Sequence, residues 1–161
     1  KDFGVIPYVT DKDYVVNSYH VDPRENIDAF TKLEIEGEYL ALSAGGAVSY
    51  VETLDLSHNK EAIISIIQWM HEHIVYAEFN RKIGVCYQCG YEGDIELTKT
   101  TDGDFVFTCP CCGNQDDSKM NVVGRLCGYL GQISSGNTNK GRLDDIYHRE
   151  IHLDCAEEVT L

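Results

Sequence analysis

Four of the seven cysteines in this 161-residue chain form two C-x2-C pairs, and these pairs constrain the fold more than any other feature. Cys86 and Cys89 lie in CYQC, Cys109 and Cys112 lie in CPCC, and nineteen residues separate the pairs. This spacing is typical of zinc ribbons. Each C-x2-C turn directs two thiolates toward one point, and a hairpin between the turns brings them together around Zn²⁺. Four thiolate ligands leave no open position for a substrate, so we expect structural zinc; a disulfide pair or buried thiols is the disfavoured alternative.

Cys111 offers a second choice for the fourth ligand. We prefer Cys112, because only Cys112 keeps the two-residue spacing from Cys109 and is followed by a glycine, Gly113. Gly90 follows the first pair in the same way, and glycine suits the tight backbone of such a turn.

The charge of the chain limits its partners. There are 27 acidic and 13 basic residues, with a net charge of −14, and such a surface repels the phosphate backbone of nucleic acids. We expect no membrane span, since no apolar run is long enough, and no signal peptide, since KDFGVIPYVTDKDY lacks an apolar core. An odd number of cysteines without a secretory signal favours metal binding in a reducing cytoplasm. Because residue 1 is lysine, we expect a processed chain or part of a longer one.

Hydrophobic patterning predicts a mixed α/β chain. The predicted elements are strands at FGVIPYV and DYVVNSYHV, a helix over Asp22–Leu42, a strand over Val48–Leu54, a helix from its Asn59 cap to His73, a strand at IVYAEF, a hairpin at IELTKTTDGDFVFT turning at Asp102-Gly103, and a helix over Arg142–Leu153. The Ser/Gly/Asn-rich stretch SSGNTNKG is predicted as a loop. We divide the chain into three parts: residues 1–82, a zinc ribbon over 83–118, and residues 119–161.

Several polar groups carry weaker indications of function. His71 and His73 lack the HExxH spacing, so both cannot face one metal ion. His148 and His152 lie four apart on the predicted last helix and could share a metal, although a surface or core role is favoured. The remaining candidates are Asn17, Ser18 and His20, which could hold a phosphate or a sugar hydroxyl or could equally close a strand end, and Cys127 and Cys155, which lack a partner at ligand spacing.

The stretch RLCGYLG, residues 125–131, lies downstream of the cysteine pairs. In that position it resembles the carboxy-terminal region of the anaerobic (class III) ribonucleoside-triphosphate reductases, which are glycyl radical enzymes. The resemblance covers nearly the whole chain, because FGVIPYVTDKDYVVNSYHV, IEGEYLALSAGGAVSYVE, CYQCGYEGDI, FTCPCCGN and GRLDDIYHREIHL resemble segments of that family in the same order.

The resemblance implies a role for Gly128. A radical on a peptide α-carbon is stabilised by delocalisation onto the flanking amides, which requires near planarity, and glycine has no side chain to oppose it. By resemblance, Gly128 stores a radical after a separate radical-SAM activating protein, using S-adenosylmethionine and a [4Fe-4S] cluster, abstracts a hydrogen atom. The stored radical then generates a thiyl radical on a catalytic cysteine, which attacks the ribose 3′ position. The implied fold is the carboxy-terminal part of a ten-stranded α/β barrel, followed by the zinc ribbon and a glycyl radical loop.

No cysteine precedes Cys86, so the implied thiyl cysteine must lie on an upstream part of the reductase, in the same or a separate chain. The resemblance further implies a ribonucleoside triphosphate substrate, a nucleotide-binding regulatory domain upstream, a homodimer of the full enzyme, and a role in making deoxyribonucleotides for DNA synthesis. Two alternatives remain: a stand-alone spare part that replaces an oxygen-damaged glycyl radical domain, and a non-catalytic zinc-ribbon module for protein interaction.

Overall fold

A computed structural model describes residues 5–10, 21–57, 59–125 and 129–153. The chain divides into two compact units. The ribbon unit comprises Lys1–Ser18 and Lys82–His148, and the βαβ unit comprises Tyr19–Arg81 and Arg149–Leu161. No helix in the described ranges is both long and apolar enough to cross a membrane.

The βαβ unit is built on a parallel strand pair. Its elements are α1 (Ala29–Leu40), β1 (Ser49–Glu52), α2 (Lys60–His73) and β2 (Ala77–Asn80). Strand β1 pairs in parallel with β2, from Ser49 opposite Ala77 to Glu52 opposite Asn80, and α2 supplies the crossover that parallel neighbours require. The buried residues of the core are Ala29, Leu33, Val51, Leu56, Ile66 and Leu153.

Side-chain caps determine where the two helices begin. The predicted helix from Asn59 is confirmed, because the Asn59 side chain accepts a hydrogen bond from the Ala62 amide at 3.1 Å. The predicted helix over Asp22–Leu42 is wrong in its first seven residues. The Asp28 side chain accepts hydrogen bonds from the amides of Phe30 and Thr31, so α1 begins at Ala29. The Asp22 side chain instead accepts from the amide of Arg24 in a local turn.

The predicted strands agree in part. Strands β1 and β2 lie within or overlap the predicted segments at residues 48–54 and 74–79. The predicted strand at FGVIPYV is wrong over residues 5–9, which form a turn: the Ile6 carbonyl accepts from the amides of Val9 and Thr10, both at 3.0 Å. Pro7, inside this turn, cannot donate to a strand ladder. The prediction for DYVVNSYHV lies mainly outside the described residues.

The ribbon unit contains a four-stranded antiparallel sheet and a separate hairpin. The sheet has the order β4-β3-β7-β8, and the hairpin pairs β5 with β6. The bounds are β3 Ile83–Cys86, β4 Tyr91–Gly93, β5 Glu96–Lys99, β6 Phe105–Thr108, β7 Met120–Arg125 and β8 Leu130–Ile133, followed by α3 Lys140–Tyr147. The predicted hairpin is confirmed, with Gly103 at φ +80° in its turn. Among the residues that the structure describes, Phe107 has the largest fully buried side chain.

The last predicted helix is wrong at its carboxy-terminal end. Helix α3 ends at Tyr147, and the chain beyond it is not helical: the His152 amide donates to the Glu52 carbonyl at 2.9 Å, and Leu153 forms a parallel bridge with Thr53. Leu153 is thereby buried in the βαβ core. His148 and His152 therefore do not share one helix face.

Candidate metal centre and the adjoining hairpin

The four predicted cysteine ligands meet at one point. The Sγ atoms of Cys86, Cys89, Cys109 and Cys112 all lie within 4.8 Å of one another. The Cys86–Cys112 separation is 3.8 Å and the Cys89–Cys109 separation is 3.7 Å. A tetrahedron with metal–sulfur bonds of about 2.3 Å has sulfur–sulfur edges of about 3.8 Å. The group could therefore hold a metal ion, and four thiolates at this spacing suit Zn²⁺.

Two equivalent turns position these sulfur atoms. The Gly90 amide donates to the Cys86 carbonyl at 2.8 Å, and the Gly113 amide donates to the Cys109 carbonyl at 2.9 Å. Both glycines have positive φ, +77° and +71°, a conformation that side chains disfavour. Cys111 is exposed and is not a member of the four-sulfur group.

Asn114 is a partner of the site that sequence analysis missed. Its Nδ2 lies 3.8 Å from the Cys86 Sγ, and its Oδ1 accepts from the Asp116 amide at 3.2 Å. The side chain is buried, and an amide donor facing a thiolate stabilises the negative charge on sulfur. The one signal in the sequence is a polar residue directly after Gly113.

The ionisation of the thiols shows why a cation fits here. Burial raises the pKa of Cys86, but hydrogen bonds from the Cys89 and Gln88 amides outweigh burial and lower this pKa to about 7. At Cys89 the Tyr91 amide lowers the pKa, yet burial and the neighbouring thiols outweigh it and raise the pKa overall. The pKa of Cys112 is also raised: the Asn114 amide lowers it, but burial and the thiols of Cys109 and Cys86 prevail. Four sulfur atoms this close ionise together only with a compensating cation.

Two strands of the same sheet flank Gly128 in the chain. Leu126, Cys127 and Gly128 lie outside the described residues, but Arg125 in β7 pairs with Leu130 in β8. In the chain, Gly128 therefore falls between two strands that pair with each other, β7 and β8. Strand β7 also pairs with β3, where Met120 lies opposite the candidate ligand Cys86. Strands β7 and β8 were not predicted from the sequence, although the buried positions of β7 alternate with half-buried ones as in a strand with one buried face.

The weaker candidates do not form sites among the described residues. His73 Nδ1 contacts the Trp69 carbonyl at 2.8 Å and its ring stacks on Trp69 at 4.2 Å; His71 is exposed. His148 Nδ1 contacts the Asp144 carbonyl, and His152 Nδ1 accepts from the Glu52 amide at 3.0 Å. Asn17, Ser18, His20, Cys127 and Cys155 lie outside the described ranges.

A buried ion pair in the βαβ unit was also missed. Lys32 Nζ donates to Glu36 Oε1 at 2.8 Å, and Glu36 also accepts from the Ser49 hydroxyl and, at 2.9 Å, from the Val21 amide. All of Glu36 is buried. These bonds fasten the chain at Val21 to α1 and β1.

Comparison with known proteins identifies the class to which this arrangement belongs. The family model described as anaerobic ribonucleoside-triphosphate reductase matches residues 1–152. The chain belongs to the anaerobic ribonucleoside-triphosphate reductase family.

Individual relatives agree with this assignment. The chain is 37% identical over 152 residues to the anaerobic ribonucleoside-triphosphate reductase of Escherichia coli, covering 94% of this chain and 21% of that protein. It is 37% identical over 153 residues to the Haemophilus influenzae protein of the same name, covering 95% and 21%. A solved structure titled anaerobic ribonucleotide reductase matches with a TM-score of 0.54 and 22% identity, over 81% of this chain and 19% of that one, and shows a shared fold. The chain spans about a fifth of the length of these curated relatives.

Proposed function

We propose that this chain is the glycyl-radical-bearing carboxy-terminal part of an anaerobic ribonucleoside-triphosphate reductase, with Gly128 as the radical site. The observation that carries the proposal is the family match over residues 1–152. The place of Gly128 in the chain between the paired strands β7 and β8 supports it, because residues between two paired strands can present a backbone α-carbon to a partner.

The proposed chemistry begins at the Gly128 α-carbon. A radical-SAM activating protein, with S-adenosylmethionine and a [4Fe-4S] cluster, takes one hydrogen atom from this carbon and leaves a radical delocalised over the flanking amides. Gly128 later regains a hydrogen atom from the thiol of an upstream cysteine, which becomes the thiyl radical that acts on the ribose of a ribonucleoside triphosphate. No cysteine precedes Cys86 in this chain, so the thiol belongs to the rest of the reductase.

Zinc has a structural role in this proposal. Cys86, Cys89, Cys109 and Cys112 would hold Zn²⁺ with no coordination position left for substrate. Since Cys86 lies opposite Met120 in the sheet, the metal would hold the end of the sheet at which β7 begins.

The βαβ unit would complete the barrel. A parallel β1–α2–β2 arrangement is the repeating unit of α/β barrels, which supports a carboxy-terminal part of a ten-stranded barrel. In functional terms we retain three parts: barrel residues 1–82, ribbon residues 83–118, and radical-loop residues 119–161. The upstream part, a homodimer of the full enzyme and a cytoplasmic location complete the proposal.

The alternatives differ in what they require. A non-catalytic zinc-ribbon interaction module needs the ribbon alone, whereas the family match covers the βαβ unit as well. A stand-alone spare part would retain a radical at Gly128 and would bind a damaged reductase rather than an intact upstream part.

Electron paramagnetic resonance tests the proposal. After anaerobic activation with a radical-SAM activating protein of this family and S-adenosylmethionine, we expect a doublet from the one remaining α-hydrogen, which glycine deuteration should collapse. Gly128→Ala should abolish the signal, and Gly131→Ala, with zinc content verified, should retain it. A zinc-loaded chain that gives no radical would favour the interaction module.

A further inference from the structure

The turn after β8 is more ordered than its composition predicts. Ser134, Ser135, Gly136, Asn137 and Thr138 have the composition of a flexible linker. In the structure the Ser134 amide donates to the Thr138 hydroxyl at 3.2 Å, and the Ser134 hydroxyl accepts from the Asn137 amide at 3.2 Å. The Thr138 amide closes the turn on the Ser134 carbonyl at 3.0 Å.

One carboxylate fastens this turn to the ribbon. Asp117 Oδ2 accepts from the Ser135 amide at 2.7 Å, from the Ser135 hydroxyl at 2.5 Å and from the Gly136 amide at 3.3 Å. Its backbone carbonyl accepts from the amide of Met120, the first residue of β7. Asp117 therefore contacts both the start of β7 and the turn that follows β8.

The position of Asp117 matches the register of the hairpin. The last strand pair at the open end is Val122 opposite Ile133. Continuing that register by two residues would bring Met120 opposite Ser135, where the ladder has ended. The Asp117 side chain supplies a connection at that point, so the hairpin is closed at its base by a carboxylate. Hydrogen bonds to an ionised acceptor are stronger than those between neutral groups.

We propose that Asp117 is a positioning residue for the radical glycine: it clamps the base of the β7–β8 hairpin and thereby holds together the two strands between which Gly128 lies in the chain. This inference rests on the proposed function of Gly128. Hydrogen transfer between the Gly128 α-carbon and a partner thiol depends steeply on distance, and fraying at the base of the hairpin would allow β7 and β8 to shift relative to each other.

The neighbouring Asp116 provides a matched control. Asp116 also accepts from a serine, Ser118, through its amide at 3.0 Å and its hydroxyl at 2.6 Å. Asp116→Ala therefore removes the same charge and a similar local cap within the same 3-10 turn, but not the connection to residues 135–136. Asp117→Asn retains an acceptor of the same size and serves as the conservative variant.

The first measurement needs no catalysis. In the zinc-loaded chain, Asp117→Ala should accelerate amide hydrogen exchange at Ser135, Gly136 and β8 by about ten-fold, as expected for loss of a charge-assisted hydrogen-bond group. Asp116→Ala should leave these amides unchanged, and Asp117→Asn should give an intermediate rate. If these amides exchange in Asp117→Ala at the wild-type rate, the clamp does not exist, whether or not Gly128 carries a radical.

The second measurement uses the complete reductase that contains this chain. Asp117→Ala should lower kcat by about ten-fold or more, because misplacing reacting groups by about 1 Å is that costly, while zinc content, spins per chain and KM for the ribonucleotide stay unchanged. An unchanged kcat would overturn the positioning role. If the wild-type chain forms no radical, the proposed function fails and the exchange measurement alone decides whether the clamp exists.

Discussion

Cys111 and Cys112 lie one residue apart, and only Cys112 joins the four-sulfur group. We expect about one zinc ion per chain in the wild type and in Cys111→Ser, and loss of tight zinc binding in Cys112→Ser. The Cys112 variant should also be much less stable, since structural zinc contributes on the order of 10 kcal/mol of folding free energy in small zinc-binding peptides. Metal analysis and thermal melting check both variants. Full zinc in Cys112→Ser together with loss in Cys111→Ser would reverse the ligand assignment.

Gly84 in β3 is constrained by packing. A β-carbon added there would lie 2.2 Å from Cγ1 of Ile95, a core residue that is 1% exposed. Gly84→Ala should therefore destabilise the ribbon unit by about 1–3 kcal/mol, as overpacking of a core does. Urea unfolding provides the measurement.

Two further variants make the Gly84 prediction specific. In an Ile95→Ala background, Gly84→Ala should cost less than in the wild type, since Ile95→Ala removes the Cγ1 atom that the added carbon would meet. Gly136→Ala, where nothing lies within 4 Å of the added carbon, should have little steric cost. Equal stability of the wild type and Gly84→Ala would contradict this packing.

For single residues, the sequence predicted those contacts whose partners lie close together along the chain. The cysteine pairs and their trailing glycines were predictable because each C-x2-C turn forms within five residues. Asn114 near Cys86 and Ser49 on Glu36 were not, because these partners are 28 and 13 residues apart along the chain. Side-chain partners at such separations depend on the complete fold.

Among the elements, the longest periodic helix was predicted well and the element ends were not. Asn59 begins α2 as expected, but α1 and α3 depart from prediction at Asp28 and Tyr147. The segment after α3 contains apolar residues at spacings that also suit a helix, yet the Glu52 carbonyl accepts from the amides of His152 and Leu153, which a continued helix would not allow. Strands β7 and β8 were overlooked because their glycines resembled those of a loop.

The segment at residues 149–153 should make the βαβ unit sensitive to acid. Burial, with a further contribution from the charge of Lys32, lowers the pKa of His152 from its ordinary value near 6.5 to about 4, although Glu36 opposes this shift. Neutral His152 accepts from the Glu52 amide. Its contribution to stability is therefore fully present above pH 6.5 and is lost as the pH falls toward 4, since the unfolded chain binds the proton more tightly.

The test compares the wild type with His152→Gln. As the pH falls from 6.5 to 4, the free energy of unfolding of the wild type should fall by about 2–3 kcal/mol more than that of the variant. The difference between the pKa of His152 in the unfolded and in the folded chain sets the upper limit of this effect. The subtraction removes the background from the many carboxylates. Parallel pH profiles for the two proteins would show that His152 is not held in its neutral form.

For the molecule as a whole, the family match and the length of the chain lead to one expectation. The chain spans about a fifth of its relatives and has no cysteine before Cys86. The isolated chain should therefore show no ribonucleotide reduction and should gain it with a partner that supplies the upstream barrel. Assays of deoxyribonucleotide formation with and without that partner make the comparison. Product from the isolated chain, free of contaminating enzyme, would contradict this division of labour.

The α/β class and the ribbon were predictable from the whole sequence, whereas the division into units was not. The βαβ unit combines residues 19–81 with 149–161, so its last strand partner comes from the far end of the chain. The local composition of the chain does not predict that its carboxy-terminal segment pairs with a strand about 100 residues earlier. The resemblance of ordered motifs along the chain, rather than any single motif, indicated the family.

Cleavage by oxygen tests the radical assignment most directly. A glycyl radical that meets oxygen forms an α-carbon peroxyl species, whose breakdown severs the backbone at the radical residue. After anaerobic activation, verification of the radical signal and exposure to air, mass spectrometry should find a break at Gly128 and a fragment of residues 129–161. Gly128→Ala should stay intact under the same treatment. A break at Gly131, or an intact chain after a verified radical signal, would place the radical on another residue and contradict the account.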